Sequence, residues 1–470
     1  MVRFLNAYFP VRTVLLCASE ALLTAAAFLI AIMAILGPLD GELFIGYEQG
    51  SARIALIVGI FSLCMYYFDL YDSTVLHSQR EVFTRLIQVF GAVCVIVALV
   101  YGSFPTMRLE QSVLTTGMVC AAGLTAVWRR VFAFLNTLPV FQERVAILGD
   151  DSLAHTLMEE ITNRPELGFR VVSHITQDSY QALPARAVVG GAPVTTGQAP
   201  SGSTDLERLT RAHRVQRIVI AMRERRGRLP VEPLLELKRR GIVIQEGNDL
   251  YELITGKVSL EALRPSMLLF SPGFQLSRST QFCKRVFSLL ISTLGLLLMA
   301  PVMLLIAIAI KLDSPGPAIF RQRRVGKGGK LFTLYKFRSM YEGADEGRPV
   351  RERDDRCTRV GRWIRASRLD ELPQLWNILL GDMHLVGPRP FVPEQENPLA
   401  EQIPFYTLRW SVYPGATGWA QVNRGYCETI AENADKLAYD LFYIKNCSIG
   451  LDLLVAFKTA KILLLGRGAR

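Results

Sequence analysis

The chain has 470 residues, and its 53 lysines and arginines against 42 acidic residues give a formal net charge of +11. Half of the residues are apolar, only 20% are charged, and the mean hydropathy is +0.25. This composition excludes collagen-like, disordered and small disulfide-bonded proteins and argues against a purely soluble enzyme. The eight cysteines form no CxxC pair, so the sequence predicts neither a zinc site nor a disulfide framework.

Four apolar runs of nearly membrane-spanning length come first. They occupy about residues 14–36, 54–71, 86–104 and 112–128, and ~20 residues suffice to cross a bilayer. Basic residues precede the first run and follow the fourth, whereas the loop 38–51 is acidic, so both ends of the bundle should face the cytoplasm. We interpret residues 1–140 as a four-span anchor. Glu20, the one acid well inside a run, leaves open a functional role within the membrane.

The pattern then changes to short β-branched runs that alternate with helical ones. This alternation predicts a Rossmann-like α/β module with a parallel sheet over residues 141–265, followed by a linker over 266–283. The segment VAILGDDSLAHTL resembles the start of a nucleotide-binding unit, but it has only Gly149 where a dinucleotide fingerprint requires three glycines. We therefore interpret Gly149 as a tight turn, and whether the module binds a ligand stays open.

A fifth apolar run lies between Arg285 and Lys311 and contains no charge. It is long enough to span a membrane, yet basic residues flank both of its ends, which places both ends on the cytoplasmic side. Pro301 lies just past its middle, where a proline breaks or kinks a helix. The sequence therefore predicts a re-entrant membrane helical hairpin over residues 284–312, followed by an α+β domain over residues 313–470.

In the segment RLDELPQLWNILLGDM, apolar residues at helical spacing follow two carboxylates. Asp370 is then expected at the N-cap of a helix, which a purely structural role would explain. The same position suits a nucleophile, because a helix N-terminus favours the charged carboxylate and attracts phosphate. Glu371 points elsewhere around the helix and could hold a divalent metal.

Two further features indicate a phosphate-bearing substrate. Pro388 and Pro390 hold Arg389 in a stiff segment suited to a grip on phosphate, although a simple turn is the alternative. The basic excess is concentrated after residue 284. Attachment of these basic residues to a membrane hairpin favours lipid headgroups and phosphate over nucleic acid as partners.

Several segments of the second half of the sequence resemble a known family. The segments that carry the resemblance are, in order, KRVF, the apolar hairpin, IKLDSPGPAIFRQRRVG, LYKFRSM, RLDELPQLWNILLGDM, LVGPRP and PGATGWAQVN. Together they resemble the bacterial sugar transferases called monotopic phosphoglycosyl transferases. With the four spans and the α/β module, the chain is similar to the long form of that family, and MVRFLNAYFPVRT resembles its exopolysaccharide-associated branch.

The resemblance implies an enzyme, a polyprenyl-phosphate sugar-1-phosphate transferase. Asp370 would attack the β-phosphate of a UDP-sugar and release UMP, and polyprenyl (undecaprenyl) phosphate would then accept the sugar-phosphate. This reaction starts exopolysaccharide or O-antigen chains. The resemblance further implies a multi-pass protein of the bacterial cytoplasmic (inner) membrane whose catalytic domain faces the cytoplasm. Whether it forms a homodimer stays open.

The resemblance also assigns roles to individual residues. Asp370 and Glu371 would be catalytic, with Mg²⁺ as the cofactor held by Glu371 and the diphosphate. The other assignments are phosphate binding for Arg365, Pro388, Arg389 and Pro390, headgroup contact for Lys284 and Arg285, and the hairpin break for Pro301. The chain departs from the family pattern at Ser288, Ala300, Arg368 and His384. We interpret His384 as a structural residue.

Two other functions are considered. A membrane nucleotide-sugar dehydratase or epimerase requires a glycine-rich NAD loop and a YxxxK pair, for which the α/β module gives no support. A non-catalytic scaffold that senses nucleotide sugars would bind them without turnover. The identity of the sugar is not readable, and the chain end 449–470 predicts either an interfacial amphipathic helix or a helix packed on the domain.

Overall fold

The computed structural model describes residues 2–4, 7–47, 49–72, 79–138, 141–176, 187–189, 192–194, 203–225, 229–264, 268, 272–274, 277–344, 354–425 and 429–465. The helices are α1 (Val11–Leu36), α2 (Pro38–Tyr47), α3 (Gly50–Tyr67), α4 (Gln79–Ser103), α5 (Gln111–Thr137), α6 (Ser152–Asn163), α7 (Ser203–Ala212), α8 (Val231–Arg239), α9 (Gly247–Thr255), α10 (Arg278–Asp313), α11 (Arg359–Ala366), α12 (Gln374–Leu380), α13 (Pro393–Gln402), α14 (Trp419–Asn423), α15 (Ile430–Lys445) and α16 (Ile449–Leu464). The strands are β1 (Val2–Phe4), β2 (Ala7–Phe9), β3 (Glu143–Leu148), β4 (Phe169–Ile175), β5 (Ala187–Val189), β6 (Ala192–Val194), β7 (Arg217–Ile220), β8 (Val243–Glu246), β9 (Ile319–Val325), β10 (Leu331–Phe337), β11 (His384–Val386) and β12 (Gly415–Thr417). The chain forms two compact units, whose principal parts are Phe9–Gly247 and Asn248–Arg470.

The first unit begins with long apolar helices. Helices α1, α3, α4 and α5 are each long and apolar enough to cross a membrane, and they overlap the four predicted runs. The prediction of several apolar helices at the N-terminus is therefore confirmed. Helices α1 and α5 approach closely because Gly117 has no side chain, since a Cβ atom there would lie 2.5 Å from the ring of Phe28.

A buried ion pair joins α1 to α5. Arg129 Nε donates to Glu20 Oε1 at 2.6 Å, and Arg129 Nη2 donates to Glu20 Oε2 at 3.2 Å. Arg129 Nη1 also donates to the Leu70 carbonyl at 3.0 Å, which ties the segment after α3 to the same point. Only 1% of the Glu20 side chain and 6% of the Arg129 side chain are exposed. This pairing gives the buried acid of the first run a structural explanation.

We expect Glu20→Gln to destabilise the bundle, because Arg129 would remain as an uncompensated buried charge, at a cost of ~3–5 kcal/mol. The measurement is the temperature at which the detergent-solubilised protein loses its monodisperse peak in size-exclusion chromatography. Glu42→Gln, on the exposed side of α2, is the matched control. The double variant Glu20→Gln/Arg129→Met should recover much of the lost stability. An unchanged transition temperature for Glu20→Gln would contradict the structural role.

The rest of the first unit is a parallel α/β sheet. Its four strands have the order β4-β3-β7-β8, and all neighbours run parallel. The predicted Rossmann-like sheet is therefore confirmed. Gly149 directly follows β3 with a φ of 128°, and a Cβ atom there would lie 2.2 Å from the Ala221 carbonyl oxygen. Only glycine fits this turn, in agreement with its interpretation as a tight turn.

The second unit begins directly after the last strand of this sheet. Residues that follow β8 pack on α14 and α15: the Trp419 indole donates to the Gly256 carbonyl at 2.8 Å, and Lys445 forms an ion pair with Glu252 at 2.8 Å. The division between the compact units thus falls after Gly247. The domain limits at residues 141, 266 and 284 stay predictions.

Helix α10 carries the fifth apolar run. It has 36 residues, continues through Pro301, and is a fifth candidate span by length and composition. Both of its ends are held within the second unit, because Ser288 near its start and Ile310 near its end are buried. Between them, Leu297 and Leu305 are 71% and 67% exposed. Because α10 continues through Pro301 as one helix, the re-entrant hairpin stays a prediction.

A small α+β domain surrounds the ends of α10. Strands β9 and β10 form an antiparallel hairpin, and β11 pairs with β12 in parallel. Side chains from α10, β10 and α11 share one core, formed by Ile306, Ile310, Phe337 and Ile364. At the chain end, the first turns of α16 are buried through Leu451 and Val455, as expected for a packed helix, whereas Leu464 near its end is 75% exposed.

Candidate active site

The two carboxylates singled out by the sequence lie in a short turn between two helices. Asp370 and Glu371 belong to the 3₁₀ turn Leu369–Glu371, between α11 and α12. Arg368 adopts a left-handed φ of 56° and starts this turn. Helix α12 begins only at Gln374, with Pro373 as its N-cap, so the prediction that Asp370 is the N-cap is wrong. The reason is that the residues before the proline close a separate turn of their own.

Glu371 is held by two cations. Lys336 Nζ donates to Glu371 Oε1 at 3.3 Å, and Arg389 Nη2 donates to the same oxygen at 2.8 Å. Burial by itself would raise the pKa of Glu371, but Arg389 and Lys336 outweigh burial and hold this pKa well below its ordinary value. Glu371 is therefore charged at neutral pH, and it holds the two cations at the turn.

Asp370 has a different environment from its neighbour. Burial raises the pKa of Asp370, and the charges of Lys336 and Arg365 offset this increase only in part, while the charge of Glu371 adds to it. Among the described residues, none donates a hydrogen bond to the Asp370 carboxylate. Two adjacent carboxylates with opposite pKa shifts are typical of a site that assigns them different chemical roles. The more basic and unbonded Asp370 is the better nucleophile of the two.

The segment 387–390 presents Arg389 to this turn. Three of its four carbonyls, those of Pro388, Arg389 and Pro390, each accept a hydrogen bond. The donors are, in order, Gly415 N at 2.9 Å, Arg409 Nη2 at 2.9 Å and Arg324 Nη1 at 3.3 Å. The two prolines have no backbone N–H to donate, and they stiffen the backbone on either side of Arg389. The backbone of this segment is therefore stiff, and it fixes the position of the Arg389 guanidinium group. Phosphate binding by Pro388 and Pro390 stays a prediction.

A buried ion cluster contacts the segment 387–390. Arg409 is 4% exposed and pairs with Glu396 at 3.1 Å and Asp440 at 3.1 Å. The hydroxyl of Tyr406 donates to Glu396 at 2.9 Å. Buried charges persist only when they are paired and hydrogen-bonded in this way. Through Arg409, the cluster holds the carbonyl of Arg389 from inside the domain.

Arg365 acts electrostatically on the dyad, which consists of Asp370 and Glu371. It lies on α11 with its guanidinium 3.9 Å from the sulfur of Cys357, and its charge lowers the pKa of Asp370. Arg368 similarly lowers the pKa of Glu371. A third and a fourth cation thus surround the carboxylates. Phosphate binding by Arg365 stays a prediction.

The two basic residues at the start of α10 have partners within the protein. Lys284 is buried, and it donates to Asp452 Oδ2 and to the Tyr443 hydroxyl, each at 2.5 Å. Arg285 donates to the carbonyls of Ile378 and Leu379, at the end of α12. Headgroup contact by Lys284 and Arg285 stays a prediction, and the contacts do not favour it for Lys284, because its buried charge is already paired with Asp452.

His384 lies in β11 and is buried. Its ring stacks on Tyr413 with the ring centroids 4.7 Å apart. Burial and the nearby charges of Lys284, Arg285 and Lys327 lower its pKa to about 4. It is therefore neutral at pH 7 and packed against Tyr413, as expected for a structural residue.

Sequence reasoning missed Lys336 as a member of the site. The motif LYKFRSM served only as one of the segments that carry the resemblance, yet it places a lysine among apolar residues. The Lys336 side chain is 18% exposed, and its ammonium group faces Glu371. Burial lowers the pKa of Lys336, while the charges of Glu371 and Asp370 act against this decrease. The signal in the sequence was a charged residue within a predicted strand of otherwise mainly apolar residues.

The donor atoms at this turn suit magnesium. Among the described residues, no three His, Cys, Asp or Glu side chains are grouped so that they could hold a metal by themselves. Mg²⁺ prefers oxygen ligands and is usually bound by one or two carboxylates together with substrate phosphates. Glu371 supplies such a carboxylate. The residues therefore fit an ion that arrives with a phosphate-bearing substrate.

Two parts of the chain match models of known protein families. Residues 279–466 match the family model described as bacterial sugar transferase, and residues 66–231 match one described as a CoA-binding domain. The fold and the site define a membrane-associated transferase. The chain belongs to the bacterial sugar transferase family.

Three relatives illustrate the similarity. The UDP-N-acetylgalactosamine-undecaprenyl-phosphate N-acetylgalactosaminephosphotransferase of Aeromonas hydrophila is 43% identical over 47% of this chain and 52% of its own length. The undecaprenyl-phosphate glucose phosphotransferase of Komagataeibacter xylinus is 33% identical over 81% of this chain and 70% of its own length. The UDP-glucose:undecaprenyl-phosphate glucose-1-phosphate transferase of Escherichia coli is 33% identical over 67% of this chain and 66% of its own length. The chain thus spans about half of the first relative and about two thirds of the other two.

Proposed function

We propose that this protein transfers a sugar-1-phosphate from a UDP-sugar to undecaprenyl phosphate and releases UMP. The reaction would take place at the cytoplasmic face of the inner membrane and start an exopolysaccharide or O-antigen chain. The names of the three relatives support the lipid acceptor and the sugar-phosphate donor. The single observation that carries the proposal is the unequal pair at the turn: an unbonded, more basic Asp370 beside a Glu371 fixed by two cations.

The proposed chemistry has two displacements at one phosphorus atom. In the first, an Asp370 carboxylate oxygen forms a bond to the β-phosphorus of the UDP-sugar, and the bond from this phosphorus to the bridging oxygen breaks. UMP leaves with that oxygen and its electron pair. In the second, an oxygen of undecaprenyl phosphate bonds to the same phosphorus, and the bond to Asp370 breaks. The carboxylate is thereby regenerated, and the product is an undecaprenyl-diphosphate sugar.

The cations of the site have a clear role in this scheme. A carboxylate and a diphosphate repel each other, so the attack requires positive charge placed where phosphate oxygens gain charge. Lys336 and Arg389 stand on the Glu371 side of the turn, and the charge of Arg365 acts on Asp370. Mg²⁺, bound by Glu371 and the diphosphate, would neutralise further charge.

The surroundings of the turn support a substrate held at a membrane surface. Trp363 on α11 and Trp376 on α12 flank the dyad in sequence and are 61% and 52% exposed, and Leu380 is 56% exposed. Exposed tryptophans are typical of membrane interfaces. Helix α12 also contacts α10, where a Cβ atom at Gly295 would lie 3.1 Å from Leu375. A re-entrant α10 with both ends on the cytoplasmic side would bring the lipid phosphate to the same surface as the turn.

The test is UMP release by the purified full-length protein with UDP-glucose, UDP-galactose and UDP-N-acetylgalactosamine. Each donor is assayed with and without undecaprenyl phosphate, and with Mg²⁺ or excess EDTA. We expect sustained turnover with one donor that requires both the lipid phosphate and the metal. Absence of UMP release with every donor, from protein shown to be folded, would contradict the proposal and favour a non-catalytic sensor of nucleotide sugars.

A further inference from the structure

Asn377 is a buried amide that does not belong to the dyad. It lies on α12 and has no exposed surface. Its Oδ1 accepts a hydrogen bond from the Tyr335 backbone amide at 3.0 Å, and its Nδ2 donates to the Thr333 carbonyl at 2.7 Å and to Asp382 Oδ2 at 3.1 Å. The side chain therefore bonds two backbone groups of one strand, on either side of Leu334.

These bonds occupy a free strand edge. Within the part of the chain that the structure describes, β10 pairs only with β9 in a two-stranded sheet, and its other edge has no strand partner. The amide of Asn377 bonds to this edge as a neighbouring strand would, with one donor and one acceptor. A leucine would fill the same space in this apolar helix, but it would leave the Tyr335 amide and the Thr333 carbonyl without partners at this point. The amide is thus needed for the position of β10 rather than for packing.

The position of β10 determines where Lys336 stands. Lys336 directly follows Tyr335 in the strand, and α12 directly follows the turn that carries Glu371. One side chain therefore connects the strand that bears the cation to the helix that follows the carboxylate. The bond from Lys336 Nζ to Glu371 Oε1 is already 3.3 Å long. A small displacement of β10 would break it.

We propose that Asn377 is a positioning residue for the transfer reaction, which acts through Lys336 by fixing β10 against α12. This inference rests on the proposed function, because its measured quantity is UMP release. Asn377 itself touches neither the dyad nor, by its full burial, any substrate. Its contribution is the alignment of one cation, and misplacement by ~1 Å at such a site can lower a rate ~100-fold.

The test is a double-mutant cycle on the full-length protein with its active donor, made of wild type, Asn377→Leu, Lys336→Met and the double variant. We expect Asn377→Leu to lower kcat ~10-fold with little change in KM for the donor, and Lys336→Met to lower it ~100-fold. In the Lys336→Met background, Asn377→Leu should then lower kcat by less than about twofold, because the ammonium group that Asn377 aligns is absent. Faster hydrogen exchange at the Tyr335 amide is expected in Asn377→Leu.

The matched control is Asn446→Leu. Asn446 also donates from its amide to a backbone carbonyl, that of Phe442 within α15, and we expect wild-type kcat for this variant. If Asn377→Leu does not fold, Asn377→Ala, which leaves room for water, enters the same cycle. An equal loss of kcat in both backgrounds, or no loss at all, would overturn the positioning role. Absence of UMP release by wild type would instead refute the proposed function.

Discussion

Replacement of Asp370 by asparagine should abolish UMP release, by about a thousandfold or more, while the protein stays folded. The amide has the shape of the carboxylate but cannot form the bond to phosphorus. Burial raises the pKa of Asp370, so the charged form of this group costs stability at neutral pH. Asp370→Asn removes that charge. We therefore expect its unfolding temperature to be equal to or higher than that of wild type.

A trapping experiment distinguishes a nucleophile from a residue that merely supports the site. With a donor labelled in its sugar and no lipid phosphate, wild type should acquire covalent label and Asp370→Asn should not. Asp355→Asn is the matched control, because Asp355 is an exposed aspartate just before α11. Wild-type turnover or labelling in Asp370→Asn would eliminate covalent catalysis by this carboxylate.

Arg389→Gln should lower kcat/KM by about 100-fold and shift the acid limb of the pH profile. Arg389 lowers the pKa of both Glu371 and Asp370, so its removal raises both pKa values. A group that must be ionised is then protonated at a higher pH. Activity should consequently be lost at a higher pH on acidification than in wild type. The measurement is kcat/KM for the UDP-sugar across the acid range.

Two further variants separate the effect of the Arg389 charge from that of its planar guanidinium group. Arg323→Gln, at an exposed position of β9, removes one positive charge and should leave both rate and profile unchanged. Arg389→Lys keeps the charge but not the planar fork, so it should restore the pH profile better than the rate. An acid limb that stays in place in Arg389→Gln would show that this guanidinium does not control the carboxylates.

Local patterns in the sequence were sufficient to predict the apolar helices, the parallel sheet and the candidate catalytic pair. Apolar runs predict membrane helices because each helix must meet lipid along its own length, and alternating β-branched runs predict the parallel sheet of the module. Asp370 and Glu371 were found because they are adjacent and stand in a distinctive motif. The N-cap assignment of Asp370 was wrong because helical spacing alone does not reveal that Arg368 turns the chain into a separate 3₁₀ turn.

Only the tertiary structure decided the environment of that pair. Glu371 is fixed by Lys336 from one strand and by Arg389 from a distant loop, and nothing in the local sequence of either cation states that they share one oxygen. Arg409 and Asn377 are further from any pattern, because they act through backbone groups that any residue carries. Composition and periodicity report how a segment meets water or lipid. The opposite pKa shifts of two adjacent carboxylates depend on burial and on charges brought together by folding, and therefore appear only in three dimensions.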